Sequence, residues 1–417
     1  MFRAFASPNY RLFFGGQIVS LIGSWMSMTA TSWLVYRLTS SPMMLGVVGF
    51  AGQFPGFVMG PFAGAYLDRW DRHKVLIATQ VMSLVQVFTM ALLLFTGHIS
   101  MPLIIFLSAF QGLVNAFDLP ARHAFLISIV KKEDLANAIA VNSSMFNAAR
   151  LAGPSLAGFI IAVASEAWCF LIDGISFFAV IIALLAMKDL PHQMRAPAHH
   201  SVVRQLLEGW RYLIGFRPIR SLMALLAALC LFAVPFSVLM PVFADDVLGG
   251  GPGILGFLLT AFGGGALVGA LWLATRPSVV GLGRVILVNT VVLGAGLIGF
   301  ALSQWLWLSI AFLVVGGFGM MAMMAATNTV IQTIVDDSMR GRVLSFYTMA
   351  FLGTAPFGSL LAGASSSRLG APVTVLVSGV FSLAAAAWFS RELPALRPLV
   401  RPIYVKLGIL PAPVMPP

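Results

Sequence analysis

Residues 43–65, 75–94, 175–187, 222–243 and 286–302 contain no Asp, Glu, Lys or Arg, and this recurring absence of charge constrains the chain more than any other feature. Hydrocarbon offers no partner to a backbone amide or carbonyl, so an apolar run of the roughly 20 residues that cross a bilayer core must be helical. Most of these runs are near or beyond that length; 175–187 reaches it only with the apolar residues before it. Only 9% of the 417 residues are charged and 59% are hydrophobic, against about 25% and about 45–50% in a soluble domain. Breaks at Pro, Gly and charge clusters place twelve helices at 12–36, 43–66, 75–96, 102–125, 137–163, 167–187, 219–243, 252–275, 283–302, 305–334, 342–367 and 371–390. The expected class is an all-α membrane protein of twelve transmembrane helices. The first span follows no cleavage pattern of small residues and is expected to be retained.

Lys and Arg give the orientation, because loops on the cytoplasmic side keep positive charge. With the N-terminus inside, 22 of the 25 basic residues fall on the inner side, Arg37 and Arg368 fall outside, and Arg150 lies within a helix. Both termini are therefore expected in the cytoplasm. The net charge of +11 is spread over every inner loop instead of forming one stripe, so no nucleic-acid partner is expected. Cys169 and Cys230 lack CxxC spacing, and His192, His199 and His200 lie in a polar linker without ligand spacing, so neither a disulfide framework nor a metal site is expected.

That linker is the longest polar interruption and divides the chain into six helices plus six. The expected organisation is a six-helix bundle over 1–187, a linker over 188–218, a second bundle over 219–390 and a Pro-rich tail over 391–417. Within the linker, 202–214 reads as an amphipathic surface helix, with Arg204, Glu208 and Arg211 opposing Leu206, Leu207, Trp210 and Leu213. The halves echo each other. Gly60-x-x-x-Gly64-Ala65 before one turn matches Gly265-x-x-x-Gly269-Ala270 before another, and Gly153-Pro154 through Gly158 has a looser counterpart in Pro356 through Gly363. Duplication of a six-helix unit is the architecture in which two bundles rock about a midplane site.

The turn after the second span reads Gly64-Ala65-Tyr66-Leu67-Asp68-Arg69-Trp70-Asp71-Arg72-His73-Lys74. It resembles the signature of the major facilitator superfamily, Gly-x-x-x-Asp-Arg/Lys-x-Gly-Arg-basic, with Asp71 in place of the second Gly. The resemblance covers the whole chain and implies that Gly56, Gly60 and Gly64 make a smooth stripe for helix eleven. Asp68 would face the N-terminal end of that helix, while Arg69, Arg72 and Lys74 meet acids or lipid headgroups. Further segments look like the exporter branch containing macrolide-efflux and siderophore-efflux proteins. These are Asn115 to Arg122, Asn142-Ser143-Ser144, Arg150 to Pro154, Phe170 to Phe177, and Arg340-Gly341-Arg342. Gly153, Pro154 and Gly158 also resemble the antiporter motif Gly-x-x-x-Gly-Pro-x-x-Gly-Gly, with Ala149 and Ala157 replacing two of its glycines. One departure concerns energy coupling: proton-coupled drug antiporters often carry an Arg three residues before a Gln-Gly pair in helix four, and Gln111-Gly112 is preceded here by Ser108.

Intramembrane charge is costly and so has a partner or a task. The candidates are Asp118, which could pair with Arg72 or Arg69 across the inner gate, Arg150 and Asp173, while Arg122 is counted with Asp118 in the inner-gate motif. Gln17, Ser20, Ser24, Ser27, Asn115, Asn142, Asn147, Asn328 and Gln332 mark a possible substrate cavity or interhelical hydrogen bonds. The resemblance implies a bacterial inner-membrane transporter exporting an amphipathic small molecule, a drug or a siderophore-like compound, against proton influx by alternating access. It is expected to act as a monomer among membrane lipids without a cofactor. No phosphate-cradling loop, nucleophile elbow or zinc motif supports nucleotide drive or an enzyme. An uptake carrier or facilitator of the same fold and a non-transporting membrane scaffold are the alternatives.

Overall fold

The computed structural model describes residues 3–67, 70–188, 190 and 202–411. Among them there is no strand, and twelve helices are long and apolar enough to cross a membrane. The first six are α1 (Pro8–Thr39), α2 (Pro42–Leu67), α3 (Arg72–Phe95), α4 (Met101–Ile129), α5 (Leu135–Val163) and α6 (Glu166–Leu185). The linker helix α7 (Val202–Gly215) follows, and the second half contains α8 (Arg217–Phe232), α9 (Gly251–Ala274), α10 (Leu282–Leu302) and α11 (Leu306–Ile334). It ends with α12 (Arg340–Leu352), α13 (Ala355–Leu369) and α14 (Ala371–Lys406).

Three spans depart from the expected single straight helices, each at prolines. The seventh breaks after Phe232 into a 3-10 stretch, Val234–Leu239, and ends in a π-helical turn, Phe243–Val247. Pro235 and Pro241 remove amides there. The eleventh is interrupted between α12 and α13, where Pro356 cannot donate to the carbonyl one turn back. The last continues beyond the expected end at 390. Pro394, Pro398 and Pro402 fall four residues apart on one exposed face, so the lost bonds share one side while Leu396 and Tyr404 stay buried on the other.

The chain divides into two compact units. Unit 1 comprises Met1–Pro197, Ser237–Thr260 and Ser359–Ala371. In it α1 packs along α5 and α6, α3 along α4 and α6, and α2 along α4. Tyr10, Phe13, Leu76, Phe125, Ala138 and Leu184 form a buried apolar cluster at the Pro8 end of α1. Asp71, which departs from the family pattern, has a local role: its carboxylate accepts from the His73 and Lys74 amides and caps α3.

Unit 2 comprises Ala198–Phe236, Ala261–Gly358 and Pro372–Pro417. There α10 and α11 form a close pair, and α7 lies against α12. Glu208 bonds Arg342 at 2.9 Å, Trp210 packs on Phe346, and the Tyr212 hydroxyl lies 3.2 Å from Asp336. The expected apolar face of α7 is divided: Leu213 is buried, whereas Leu207 and Trp210 are exposed. Most of the linker's His-containing part, 191–201, lies outside the described residues, as does 412–417 of the tail.

Candidate functional site

The charged interior lies in unit 1 and is built by α1, α3, α4 and α6. Asp118 projects from α4 and is buried. Its Oδ1 accepts from Thr79 Oγ1 at 2.8 Å and Gln80 Nε2 at 2.7 Å, both on α3. Its Oδ2 is bound by Arg122, one turn along α4, and Arg122 also donates to Gln17 Oε1 of α1. Among the described residues, these partners stand in place of the expected Arg72, and the alternative, Arg69, lies outside the described residues. The reason is local: an Arg four residues along the same helix reaches the carboxylate without leaving the bundle, and Thr79 and Gln80 satisfy its other oxygen. Asp118 is therefore a group of the protein interior.

Asp173 is more deeply buried, at 1% exposure, on α6. Ser176 Oγ lies 3.3 Å from its Oδ1. From α1, the Ser27 hydroxyl approaches the carboxylate without completing a hydrogen bond. Gly23 makes room for it, since a Cβ there would meet Asp173 Oδ1 at 2.5 Å. No cation pairs with Asp173 among the described residues. The two carboxylates thus differ in chemistry: Asp118 is neutralised by Arg122, and Asp173 has one bonded hydroxyl, Ser176, and a second, Ser27, nearby.

The remaining sequence candidates separate into several groups. Gln17 and Ser20 are buried inside unit 1, and Ser24 is half-buried. Asn115 is exposed on α4, where Gln111 Nε2 bonds both its Oδ1 and Ser83 Oγ at 3.0 Å. Asn142 and Asn147 project from α5, Asn147 donating to the Ser143 carbonyl. In unit 2, Gln332 donates to Asn328 Oδ1 within α11. Arg150 is half-buried one turn before Gly153. Asp68 and Arg69 of the signature turn lie outside the described residues, and nothing of Gly64's surroundings is described.

The small residues make contacts different from those expected. At Gly56 and Gly60 nothing lies within 4 Å of where a Cβ would stand, so this stretch of the α2 stripe is unpacked. Close approach occurs nearer the start of α2 instead: a Cβ on Gly46 would come within 2.7 Å of the Ser359 carbonyl and 3.0 Å of Gly363 Cα in α13. The antiporter-like segment is tightly packed. Gly153 abuts α1 at Ile22, Trp25 and Met26, while Gly158 sits against Pro252 and Gly256 of α9. The neighbouring Ser155 and Thr260 hydroxyls share a 2.6 Å hydrogen bond.

Two contacts at the Thr39 end of α1 carry no signature in the sequence. Arg37 makes a two-point ion pair with Glu166, at 2.7 and 3.3 Å, and Glu166 is buried at the start of α6. Tyr36, itself buried, donates to Asp246 in the π-helical turn at 2.5 Å. The partners stand 129 and 210 residues away, beyond any local pattern. In unit 2, a cavity of about 370 Å³ is lined by Tyr212, Phe216, Ile334, Asp336 and Ile403 beside the linker helix.

The model of one family, described as transmembrane secretion effector, matches residues 1–398. The chain is 25% identical to the staphyloferrin A transporter of Staphylococcus aureus over 89% of its own length and 93% of that protein's. It is 26% identical to the multidrug efflux pump Tap of Mycolicibacterium fortuitum, covering 85% and 88%, and 26% identical to the enterobactin exporter EntS of Escherichia coli, covering 89% and 87%. Among solved structures, a bacterial homologue of the lysosomal transporter Spinster, captured inward-facing and unoccupied, superposes with a TM-score of 0.73 at 14% identity, over 98% of this chain and 99% of that one.

Proposed function

Because the chain belongs to the transmembrane secretion effector family of the major facilitator superfamily, we propose that it exports an amphipathic small molecule of the siderophore or drug class by proton antiport. It is a multi-pass transporter of small molecules and not an enzyme. The export direction rests on the relatives named for efflux and siderophore movement over nearly their whole length. Proton coupling rests on one observation above all, the buried Asp173 with hydroxyl neighbours and no cation among the described residues. Taking up or releasing a proton there changes the charge of a buried site, whereas Arg122 already neutralises Asp118.

In this reading the bundles over 1–187 and 219–390 alternate access to substrate, with both termini in the cytoplasm of a bacterial inner membrane. The Pro8 end of α1 then faces inward and the Thr39 end outward. Asn115, Asn142, Asn147, Asn328 and Gln332 supply substrate contacts, and Asp68, Arg69, Arg72 and Lys74 form the inner-gate turn. A monomer carries out the whole cycle. The test is counterflow and gradient-driven uptake into inside-out proteoliposomes, with a catecholate siderophore, a hydroxycarboxylate siderophore and a lipophilic cationic dye as probes. Accumulation of at least one probe that depends on an acidic lumen supports the reading. Uptake of all three that ignores the pH gradient, or no uptake of any, overturns it.

A further inference from the structure

The polar interior of unit 1 continues past the two carboxylates. Gln17, Ser20, Ser24 and Ser27 follow one another at three- and four-residue spacing and therefore share one face of α1. Gln17, Ser20 and Ser27 are buried, and Ser24 is half-buried. The row begins at the Arg122–Asp118 pair, through Gln17, and ends at Asp173, beside Ser27. About ten residues of helix separate its ends, about 15 Å. On α3, Thr79, Gln80, Ser83 and Gln86 are buried as well, and Gln111 links Ser83 to the exposed Asn115.

Five buried polar atoms without a hydrogen-bond partner belong to this region: Gln17 Nε2, Arg122 Nε, Gln80 Oε1, Gln111 Oε1 and Ser27 Oγ. Interiors rarely leave such atoms unmatched, and ordered water is their usual partner. The set combines two donors, two acceptors and a hydroxyl that can be either. A bound cation would be repelled by the donors and a bound anion by the acceptors. Water, which donates and accepts, is the molecule that suits all five.

We propose that the α1 face Gln17–Ser20–Ser24–Ser27 borders a file of internal water that carries protons between the Asp118–Arg122 pair and Asp173, inside the first bundle. The file is a proton route of its own, and its role in transport rests on the antiport reading above. The charged and titratable groups facing its ends are Arg122 and His123 at Asp118, and Cys169 at Asp173. The other elements bring Gly23 and Ser27 of α1 to Asp173, and Phe88 of α3 to the adjoining Gly174.

The test needs no substrate. The purified full chain is reconstituted in phospholipid, and the C=O stretch of the protonated Asp173 carboxyl is assigned by its loss in Asp173→Asn. Its downshift is then timed after a switch to heavy water. The expected result is exchange within seconds in the parent protein. It should slow by at least about tenfold in Ser20→Val/Ser24→Val, which blocks the file, and stay fast in Ser20→Ala/Ser24→Ala, which leaves room for water. If the double valine variant does not fold, Ser24→Val alone, at a half-buried position, carries the comparison. Exchange in the parent as slow as the backbone amides of α6, valine variants as fast as the parent, or no band assignable to Asp173 would each overturn the proposal. Fast, valine-sensitive exchange together with transport that ignores the pH gradient would keep the file and remove its role in coupling.

Discussion

Tyr36 and Asp246 share a 2.5 Å hydrogen bond between the end of α1 and the π-helical turn that closes the seventh span. The adjoining Arg37 grips Glu166 at the start of α6. Consecutive residues therefore tie the Thr39 end of α1 to two different elements of unit 1. A π-helical turn is rare and often marks a functional position, and this one is followed by Gly249 and Gly251, both with positive φ. The segment has the backbone freedom to release its hold.

Tyr36→Phe should loosen this end. A hydrogen bond to a carboxylate that is itself solvent-exposed contributes about 1 kcal/mol, which alters an opening equilibrium roughly fivefold. With Cys169 and Cys230 replaced by Ala, the labelling rate of Ser155→Cys by an impermeant maleimide should rise by that factor. Asp246→Asn keeps an acceptor and should change the rate less. Equal labelling in Tyr36→Phe and its parent would remove the pair as a closure contact.

Arg122→Gln should be among the more damaging single changes in unit 1. It leaves the buried Asp118 carboxylate without its cation, a loss of about 3–5 kcal/mol for a buried pair. Adding Asp118→Asn should restore much of the folded yield, because Thr79 and Gln80 can still bond the amide. Detergent-solubilised monodisperse protein, measured by size exclusion before and after heating, gives the comparison. A double variant no better than Arg122→Gln would show that Arg122 stabilises through other contacts.

The spans are legible because solvent physics leaves a charge-free run no other option, and α7, expected over 202–214, is observed as Val202–Gly215. Helix continuity is less legible where Pro235, Pro356 and Pro394 act in opposite ways. Whether a missing amide breaks a helix depends on what covers the freed carbonyl, which is a tertiary fact. Asp118 and Asp173 stand out in sequence as charges in apolar surroundings, but their partners do not. Thr79 and Gln80 look like ordinary members of an apolar run, and Glu166 and Asp246 look like loop-end charges. The glycine stripe of α2 looks uniform in sequence, yet Gly46 is packed and Gly60 is open. A sequence motif describes which surfaces can approach and not which ones do so in a given state.

Asp71→Ala should cost about 1 kcal/mol by removing the cap on α3, Asp71→Ser little, and Asp71→Gly only a few tenths. The order of thermal midpoints, aspartate and serine above glycine above alanine, checks the capping role. Alanine as stable as aspartate would show that the two amide contacts add nothing.

Gly46 and Gly60 should respond oppositely to added volume. Gly46→Val places methyl groups against the Ser359 carbonyl and Gly363, so it should lower stability in the present state by about 1–3 kcal/mol. Gly60→Val meets open space and should fold normally. If α2 presents Gly60 to another helix during the transport cycle, the second variant will still be slow in counterflow. Normal counterflow by Gly60→Val would show that the open part of the stripe stays open throughout.

The energy source is the remaining question, and the two carboxylates give it a sharp form. A proton gradient drives export only when protonation differs between states that face opposite sides. Asp173 has the Ser176 hydroxyl as its partner and a tight seat against Gly23 of α1, so a small shift of α1 against α6 changes its surroundings directly. Asp118 keeps Arg122, which travels with it on the same helix, and its charge balance is insulated from such a shift. Asp173→Asn should therefore abolish pH-gradient-driven accumulation of the transported probe in proteoliposomes while leaving gradient-free exchange within about twofold of the parent, well under the roughly tenfold that about 1.4 kcal/mol represents. Asp118→Asn should lower both modes together, as expected of a positioning group whose loss disturbs the bundle. Driven accumulation that survives in Asp173→Asn and disappears in Asp118→Asn would exchange the two assignments. Driven accumulation in the double variant would place the coupling group outside this bundle interior altogether.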